Sequence, residues 1–181
     1  MSILPRITSR PRPHALVALA LASSLALSAL VSVDAASAAK VPSTPTSSAP
    51  HCLTKVIGRS ASGELQLSTP ACYATMADVN ARAGGGGGAM AFGGTFILAV
   101  HYDGANLTGA SISVEGSDCY GGYINLTGWW ANRVSSTANT CPEVNHYYWP
   151  DLVGSHQTTY GTGGNLTSLN NLSESISYTG W

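Results

Sequence analysis

The chain has 181 residues and a formal net charge of −1, with only 9% charged residues against 44% hydrophobic ones. From Lys40 onward there are five basic and eight acidic residues, which provides no basic surface for nucleic acid. Few charges combined with abundant Gly, Ser, Thr and Asn indicate a turn-rich extracellular β protein of one domain.

The first 39 residues have the layout of a secretory signal peptide. Residues 1–14 carry three arginines and no acid, residues 15–33 are an apolar run, and small residues follow at 35–39. The run also has nearly the length of a membrane span, but its Ala- and Ser-rich composition and the small residues favour cleavage within 36–39. We therefore predict a secreted protein without stable membrane insertion after signal removal.

Residues 40–51 are rich in Pro, Ser and Thr and predict a flexible linker. Four cysteines follow, and an even number after a signal peptide predicts two disulfides. Three pairings are possible. We favour Cys52–Cys72 and Cys119–Cys141, because each closes a loop of about 20 residues that would stabilise the fold by roughly 3 kcal/mol. The rival metal site lacks a CxxC pair or a supporting His spacing.

Residues 52–91 form an N-terminal extension with two predicted strands, 52–58 and 64–68. Thr69 and Pro70 are typical of a helix N-cap followed by proline at the first helical position. An apolar stripe at helical spacing follows, and Gly84 would end the helix; the stripe consists of Cys72, Met76, Val79 and Ala83. The glycines at 84–88 predict a flexible connection to the next domain.

Residues 92–181 contain eight short candidate strands separated by Gly-rich turns, which indicates a β-sandwich. They fall into two groups of four, and four strands per group fit a Greek key. The predicted strands are 92–102, 111–114, 123–126, 135–137, 144–149, 156–160, 165–166 and 173–178.

The two groups share a repeated pattern, which points to a duplicated supersecondary unit. Tyr102-x4-Leu107-x-Gly109 recurs 45 residues later as Tyr147-x4-Leu152-x-Gly154. The leucine is expected to enter the core, and the glycine to permit either a positive φ or a close contact. Residues 131–137 and 169–175 follow, each with the order apolar, Asn, any residue, apolar, Ser, any residue, Ser or Thr.

These paired motifs resemble the Greek keys of microbial βγ-crystallins, whose small secreted actinobacterial members include a metalloproteinase inhibitor and a killer-toxin-like protein. The resemblance covers residues 92–181 and places the keys at about 92–140 and 141–181. It implies a mainly β fold, a βγ-crystallin-like sandwich of two Greek keys, preceded here by the short helix-containing extension.

The resemblance also implies calcium ligands, because the family's motif is two Asn or Asp, two variable residues, Ser or Thr, then Ser. Ala131 departs from the first position. In the second key the alignment has two options: starting at Leu169, which keeps Leu172 opposite Val134 and is favoured, or starting at Asn170, which puts Asn171 second and Glu174 fifth. The few formal charges imply modest affinity. The implied metal residues are Asn132, the Arg133 carbonyl, Ser135, Asn170, Asn171 and Ser173.

No catalytic residues are predicted, because the chain lacks G-x-S-x-G, H-E-x-x-H and an evident pair of carboxylates. His101 and His146 both immediately precede the repeated tyrosines. A duplicated strand position explains them more simply than a metal pair does.

We therefore predict a non-catalytic secreted binding protein whose partner is a secreted protease or a cell-surface ligand. A peptidase inhibitor would present one of the loops 115–122 and 139–145, which Cys119 and Cys141 would pin. The alternatives are a toxin or antimicrobial protein and a purely structural calcium-stabilised domain. Neighbouring aromatics at 129–130 and 147–149 would suit protein or sugar binding where one ring is exposed.

Overall fold

The computed structural model of the protein describes residues 44–46, 48–84 and 94–180. The predicted signal peptide and the glycines 85–88 lie outside the described residues. The described chain is mainly β and contains eleven strands and one α-helix. These are β1 His51–Arg59, β2 Leu65–Leu67, β3 Ala71–Tyr73, α1 Met76–Arg82, β4 Phe96–Gly104, β5 Thr108–Gly116, β6 Gly122–Asn125, β7 Ser136–Asn139, β8 Glu143–Tyr147, β9 His156–Tyr160, β10 Gly163–Asn165 and β11 Ser175–Thr179.

The strands form two sheets, which is consistent with a β-sandwich. The first sheet has the order β10-β7-β4-β5-β1-β2, and β3 also pairs with β1. The second sheet has the order β6-β11-β8-β9. Strands β4–β7 make a first unit and β8–β11 a second unit. In each unit the first, second and fourth strands lie in one sheet, and the third strand lies in the other sheet. The third strands are β6, which pairs with β11, and β10, which pairs with β7.

The hydrophobic core lies between the sheets. Ile112 and Val114 of β5 and Val144 and Ile176 of the second sheet belong to one buried cluster. Trp130 fills the same cluster and is completely buried. Alternation along each strand sends every second side chain inward, so short strands suffice to build this core.

The N-terminal extension is part of the first sheet. The sequence left open whether this extension packs on the rest of the protein. β1 pairs in parallel with β5, with Cys52 opposite Ile112. The predicted linker ends earlier than expected, because His51 is already a strand residue and its Nδ1 lies 2.9 Å from the Ser111 hydroxyl. Both predicted disulfides, Cys52–Cys72 and Cys119–Cys141, are confirmed.

The predicted start of the helix at Thr69 and Pro70 is wrong. Residues 71–73 form β3, because Cys72 is bonded to Cys52 directly across the antiparallel pairing with β1. The helix begins at Met76, and the Thr75 hydroxyl caps it by accepting the Asp78 N–H at 3.1 Å. Thr69 and Pro70 match a helix-capping pattern, but the disulfide between β1 and β3 favours a strand after them.

Replacement of the observed cap should destabilise the protein more than replacement of the predicted one. Thr75→Ala removes the acceptor for an otherwise unpaired helical N–H and is expected to lower the free energy of unfolding by about 1 kcal/mol. Thr69→Ala, at an exposed position, should change it by less than about 0.5 kcal/mol. Urea unfolding of both variants measures the difference, and equal effects would contradict this assignment of the cap.

A buried carboxylate fastens the extension to the first sheet. Glu115 on β5 is 1% exposed and forms an ion pair with Lys55 of β1 at 3.0 Å. Its other oxygen accepts the Gly84 N–H at 2.9 Å and the Thr95 hydroxyl. Burial raises the pKa of Glu115, but the hydrogen bonds from Thr95, Lys55 and Gly84 outweigh it, so the pKa is lowered overall.

The two Tyr–Leu–Gly turns are hairpin tips. The prediction that their leucines enter the core is wrong. Leu107 is 42% exposed and Leu152 is half-buried, because both adopt the left-handed conformation, with φ of 59° and 62°. The expected positive φ of the glycines is confirmed at Gly109 (82°) and Gly154 (88°).

Candidate calcium site

The loops before β7 and β11 lie against each other and are bonded reciprocally. The Asn132 N–H donates to the Ser173 carbonyl and the Asn171 N–H to the Val134 carbonyl, both at 3.0 Å. Asn132 and Asn171 have nearly identical left-handed φ values of 58° and 57°. Asparagine tolerates this conformation better than most residues, which explains its presence at both positions.

Oxygen atoms from three chain segments meet beside this pair of loops. The Ser135 hydroxyl lies 2.8 Å from the Asp103 carbonyl oxygen and 3.0 Å from Asn171 Oδ1. Asp103 belongs to β4, and Asn171 to the loop of the second unit. A depression next to them is lined by Asp103, Ala131, Asn132, Arg133 and Asn171. Hydroxyl, amide and carbonyl oxygens are the ligand types that calcium prefers.

A second group is related to the first by the duplication. Asn132 Nδ2 lies 2.6 Å from Glu174 Oε1. Glu174 donates its N–H to the Tyr147 carbonyl at 2.9 Å, as Ser135 does to Tyr102 at 2.8 Å. Amide nitrogen and oxygen are assigned from hydrogen bonds, and rotation of the Asn132 amide by half a turn would place its oxygen instead of its nitrogen beside Glu174 Oε1. Each group combines residues of both units.

The favoured alignment of the second loop, which started at Leu169, is wrong. The Ser136 hydroxyl accepts the backbone N–H of Leu107 at the first hairpin tip, at 3.0 Å. The Ser175 hydroxyl accepts the backbone N–H of Leu152 at the second hairpin tip, at 3.1 Å, so the two serines occupy equivalent positions. Glu174 therefore corresponds to Ser135. The alignment that starts at Asn170 is the correct one.

Burial explains the misalignment. The sequence argument matched Leu172 to Val134 as apolar residues, but Leu172 is 40% exposed and Val134 is completely buried. Ser173 takes the buried position instead, and its hydroxyl bonds to the Ser175 carbonyl at 3.2 Å. Of the predicted metal residues, Ser173 is thus turned away from the oxygen groups, and Asn170 is exposed without a described part in them.

Sequence reasoning missed Asp103 and undervalued Glu174. Asp103 directly follows the repeated Tyr102, so its position in the duplicated pattern was the available signal. The guanidinium of Arg133 lies 4.6 Å from the centre of the Trp129 ring, and Arg133 also lines the depression. Among the described residues, no three His, Cys, Asp or Glu side chains are grouped as metal ligands.

His101 and His146 occupy equivalent strand positions, but they also meet across the sandwich. Both are completely buried, with ring centres 5.6 Å apart. The Thr137 hydroxyl lies 3.0 Å from His101 Nδ1 and 3.2 Å from His146 Nε2, and Tyr178 bonds the remaining nitrogen of His101. Burial, with repulsion from His146 added at His101, lowers the pKa of both imidazoles, that of His146 to about 3.

Comparisons with protein-family models, with curated proteins and with solved structures give no match. In the described part of the chain, no helix is both long and apolar enough to span a membrane.

Proposed function

We propose that this is a secreted, non-catalytic βγ-crystallin-like protein that binds calcium between its two repeated loops. The observation that carries the proposal is that the Asp103 carbonyl oxygen and Asn171 Oδ1 both lie within 3.0 Å of Ser135 Oγ, beside a depression that Asp103 and Asn171 line. Calcium accepts such mixed oxygen ligands and completes its shell with water. The two disulfides support an oxidising compartment.

The strand order supports the Greek-key interpretation. Each unit places its first, second and fourth strands together, as β5-β4-β7 and β9-β8-β11, and sends its third strand to the opposite sheet. Two four-stranded units that exchange one strand make a single core, so neither unit would be complete alone. Calcium bound between loops of different units would add a further link between them.

Calcium is expected to bind with modest affinity, and the group with Glu174 is expected to be the tighter one, because ligand charge raises affinity. Calorimetry and thermal unfolding of the oxidised chain would measure this. Calcium at ten times its Kd should raise the free energy of unfolding by about 1.4 kcal/mol. Glu174→Gln should weaken one site roughly tenfold, which corresponds to about 1.4 kcal/mol. Ser135→Ala should weaken the other.

Two control variants distinguish the loss of a calcium ligand from the general effect of removing a carboxylate or a hydroxyl. Glu143→Gln removes a carboxylate on β8, and Ser155→Ala removes an exposed hydroxyl outside both loops. Neither should change the calcium affinity. Absence of heat and of any thermal shift at millimolar calcium would refute the proposed sites, and the Asn and Ser residues would then serve only the turns.

A second candidate function, peptidase inhibition, is favoured by the loop that contains Cys119. Arg59 holds this loop through Asp118 at 3.0 Å and the Tyr120 carbonyl at 3.1 Å. Tyr120 is 68% exposed beside the buried disulfide. A rigid loop with one protruding side chain loses little entropy on binding. Inhibition assays on metallopeptidases and serine peptidases would test it, and Tyr120→Ala should abolish any inhibition found.

A further inference from the structure

The outward surface of the second sheet is polar and aromatic and contains no aliphatic side chain on β8 or β9. Three cross-strand pairs compose it: Glu143–Tyr160, Asn145–Thr158 and Tyr147–His156. These six residues are called the β8–β9 face. Residues directly opposite in an antiparallel pair share one face of the sheet. The intervening residues of β8, Val144 and His146, are completely buried.

Two aromatic positions lie at opposite ends of this face. Tyr147 and His156 stack with ring centres 5.3 Å apart and an interplanar angle of 29°. Tyr160 is 65% exposed at the far end of β9. Four residues of antiparallel strand separate His156 from Tyr160, so the two ring positions are about 13 Å apart along the strand. That span is long enough for more than one sugar ring.

A chain of polar side chains connects the two aromatic ends. Thr158 donates to Asn145 Oδ1 at 2.6 Å, and Asn145 Nδ2 donates to Thr179 of β11 at 3.3 Å. Thr179 in turn donates to Glu143 Oε2 at 3.2 Å. These bonds fix the orientation of the side chains. The second amide hydrogen of Asn145 and the other oxygen of Glu143 are further hydrogen-bonding groups on the same face.

The composition of the β8–β9 face distinguishes between classes of partner. The buried centre of a protein interface is apolar, whereas the centre of this face is the polar pair Asn145–Thr158. Nucleic acid requires lysine or arginine, and this face carries neither. Glu143 is its one carboxylate. Aromatic rings separated by neutral hydrogen-bonding groups match a ligand that has many hydroxyls, little charge and flat C–H surfaces.

The outward side of the first sheet differs, because the chain itself covers part of it. Met76 of α1 accepts a hydrogen bond from Ser111 of β5 at 3.3 Å, and Val79 of the same helix is completely buried. On the second sheet, Tyr160 and His156 are exposed to solvent.

We propose that the β8–β9 face binds a neutral polysaccharide chain. The rings of Tyr160 and of the Tyr147–His156 pair stack on two sugar rings of the same chain that are not adjacent, while Asn145, Thr158 and Glu143 bond to sugar hydroxyls between them. This binding is independent of the calcium sites, so it should persist in EDTA, and its failure would leave the calcium proposal untouched.

The test is a binding assay of the oxidised chain on insoluble cellulose, chitin and β-1,3-glucan at neutral pH, with and without EDTA. We expect retention on at least one polymer and competition by its soluble oligosaccharides. Tyr160→Ala should lower the affinity at least tenfold. Tyr73→Ala is the control, because Tyr73 is a partly exposed tyrosine on β3 of the first sheet and does not belong to the β8–β9 face. Thermal unfolding checks that both variants remain folded.

The proposal is overturned if none of the three neutral polymers retains the protein. It is also overturned if Tyr160→Ala binds as well as the parent chain, or if Tyr73→Ala loses the same affinity. Retention only on heparin would indicate a polyanion partner instead and would equally overturn it.

Discussion

Acidification below pH 6.5 is expected to unfold the protein, because its core contains two neutral imidazoles. His101 and His146 are buried, and their pKa values are lowered, that of His146 to about 3. The unfolded chain binds protons at the ordinary histidine pKa of 6.5, whereas the folded one does not. Stability is therefore unaffected above that pH and falls as the pH drops toward the folded pKa values.

The expected slope is large. Each histidine contributes about 1.4 kcal/mol per pH unit as long as its folded form stays neutral, so the pair contributes up to about 2.7 kcal/mol per unit. A small domain has only about 5–15 kcal/mol in total. Tyr178, which bonds His101, stays neutral throughout this range because burial raises its pKa well above 10. Urea unfolding at half-unit steps from pH 7.5 to 4.5 would measure the slope.

Substitution of one histidine provides the decisive comparison. His146 Nδ1 is buried without a hydrogen-bond partner, so His146→Leu removes an unsatisfied atom together with the titrating group. This variant should show about half the parent slope between pH 6.5 and 5. His156→Leu changes an exposed histidine and should retain the parent slope. Parent and His146→Leu slopes that coincide would contradict the assignment.

Replacement of Gly163 by alanine is expected to be the most damaging single change in the second unit. Gly163 lies in β10 opposite Ala138 of β7 and has φ of +92°. A Cβ atom there would overlap the Thr137 carbonyl oxygen and lie 3.0 Å from the Asn139 nitrogen. Backbone atoms cannot move aside as a flexible side chain does. We expect a loss of roughly 3–5 kcal/mol in the free energy of unfolding.

Alanine variants at two neighbouring glycines distinguish the effect of the positive φ from the effect of the backbone clash. Gly161 also has a positive φ, 58°, but a Cβ would meet no atom within 4 Å, so Gly161→Ala should cost only about 1–2 kcal/mol. At Gly164 a Cβ is equally free, and no positive φ is required, so alanine should change stability by less than about 1 kcal/mol. Denaturant unfolding of the three variants tests this order, and a Gly163→Ala loss no larger than that of Gly161→Ala would rule out the backbone clash.

Features that depend on neighbouring residues were predictable from the sequence. Short runs with β-branched and aromatic residues, spaced by Gly-rich turns, located all eight strands that the structure describes between residues 94 and 180, and β9 matches its prediction at both ends. The cysteine spacing led to the correct disulfide pairs, because each bond closes a short loop. The duplicated pattern identified Asn132 and Ser135, whose left-handed turn and hydroxyl recur in the candidate site.

The tertiary structure alone decided the features that depend on distant partners. Pairing of β1 with β5 incorporated the extension into the first sheet, and the bond between Cys52 and Cys72 made a strand where a helix was predicted. Burial of Ser173 in place of Leu172 set the alignment of the second loop. The two histidines stand at matching positions in the sequence, but only the packing of one sheet on the other brings their rings together. The periodicity of a sequence predicts which face of a strand is apolar. The strand register and the packing of the two sheets determine which residues that face contacts.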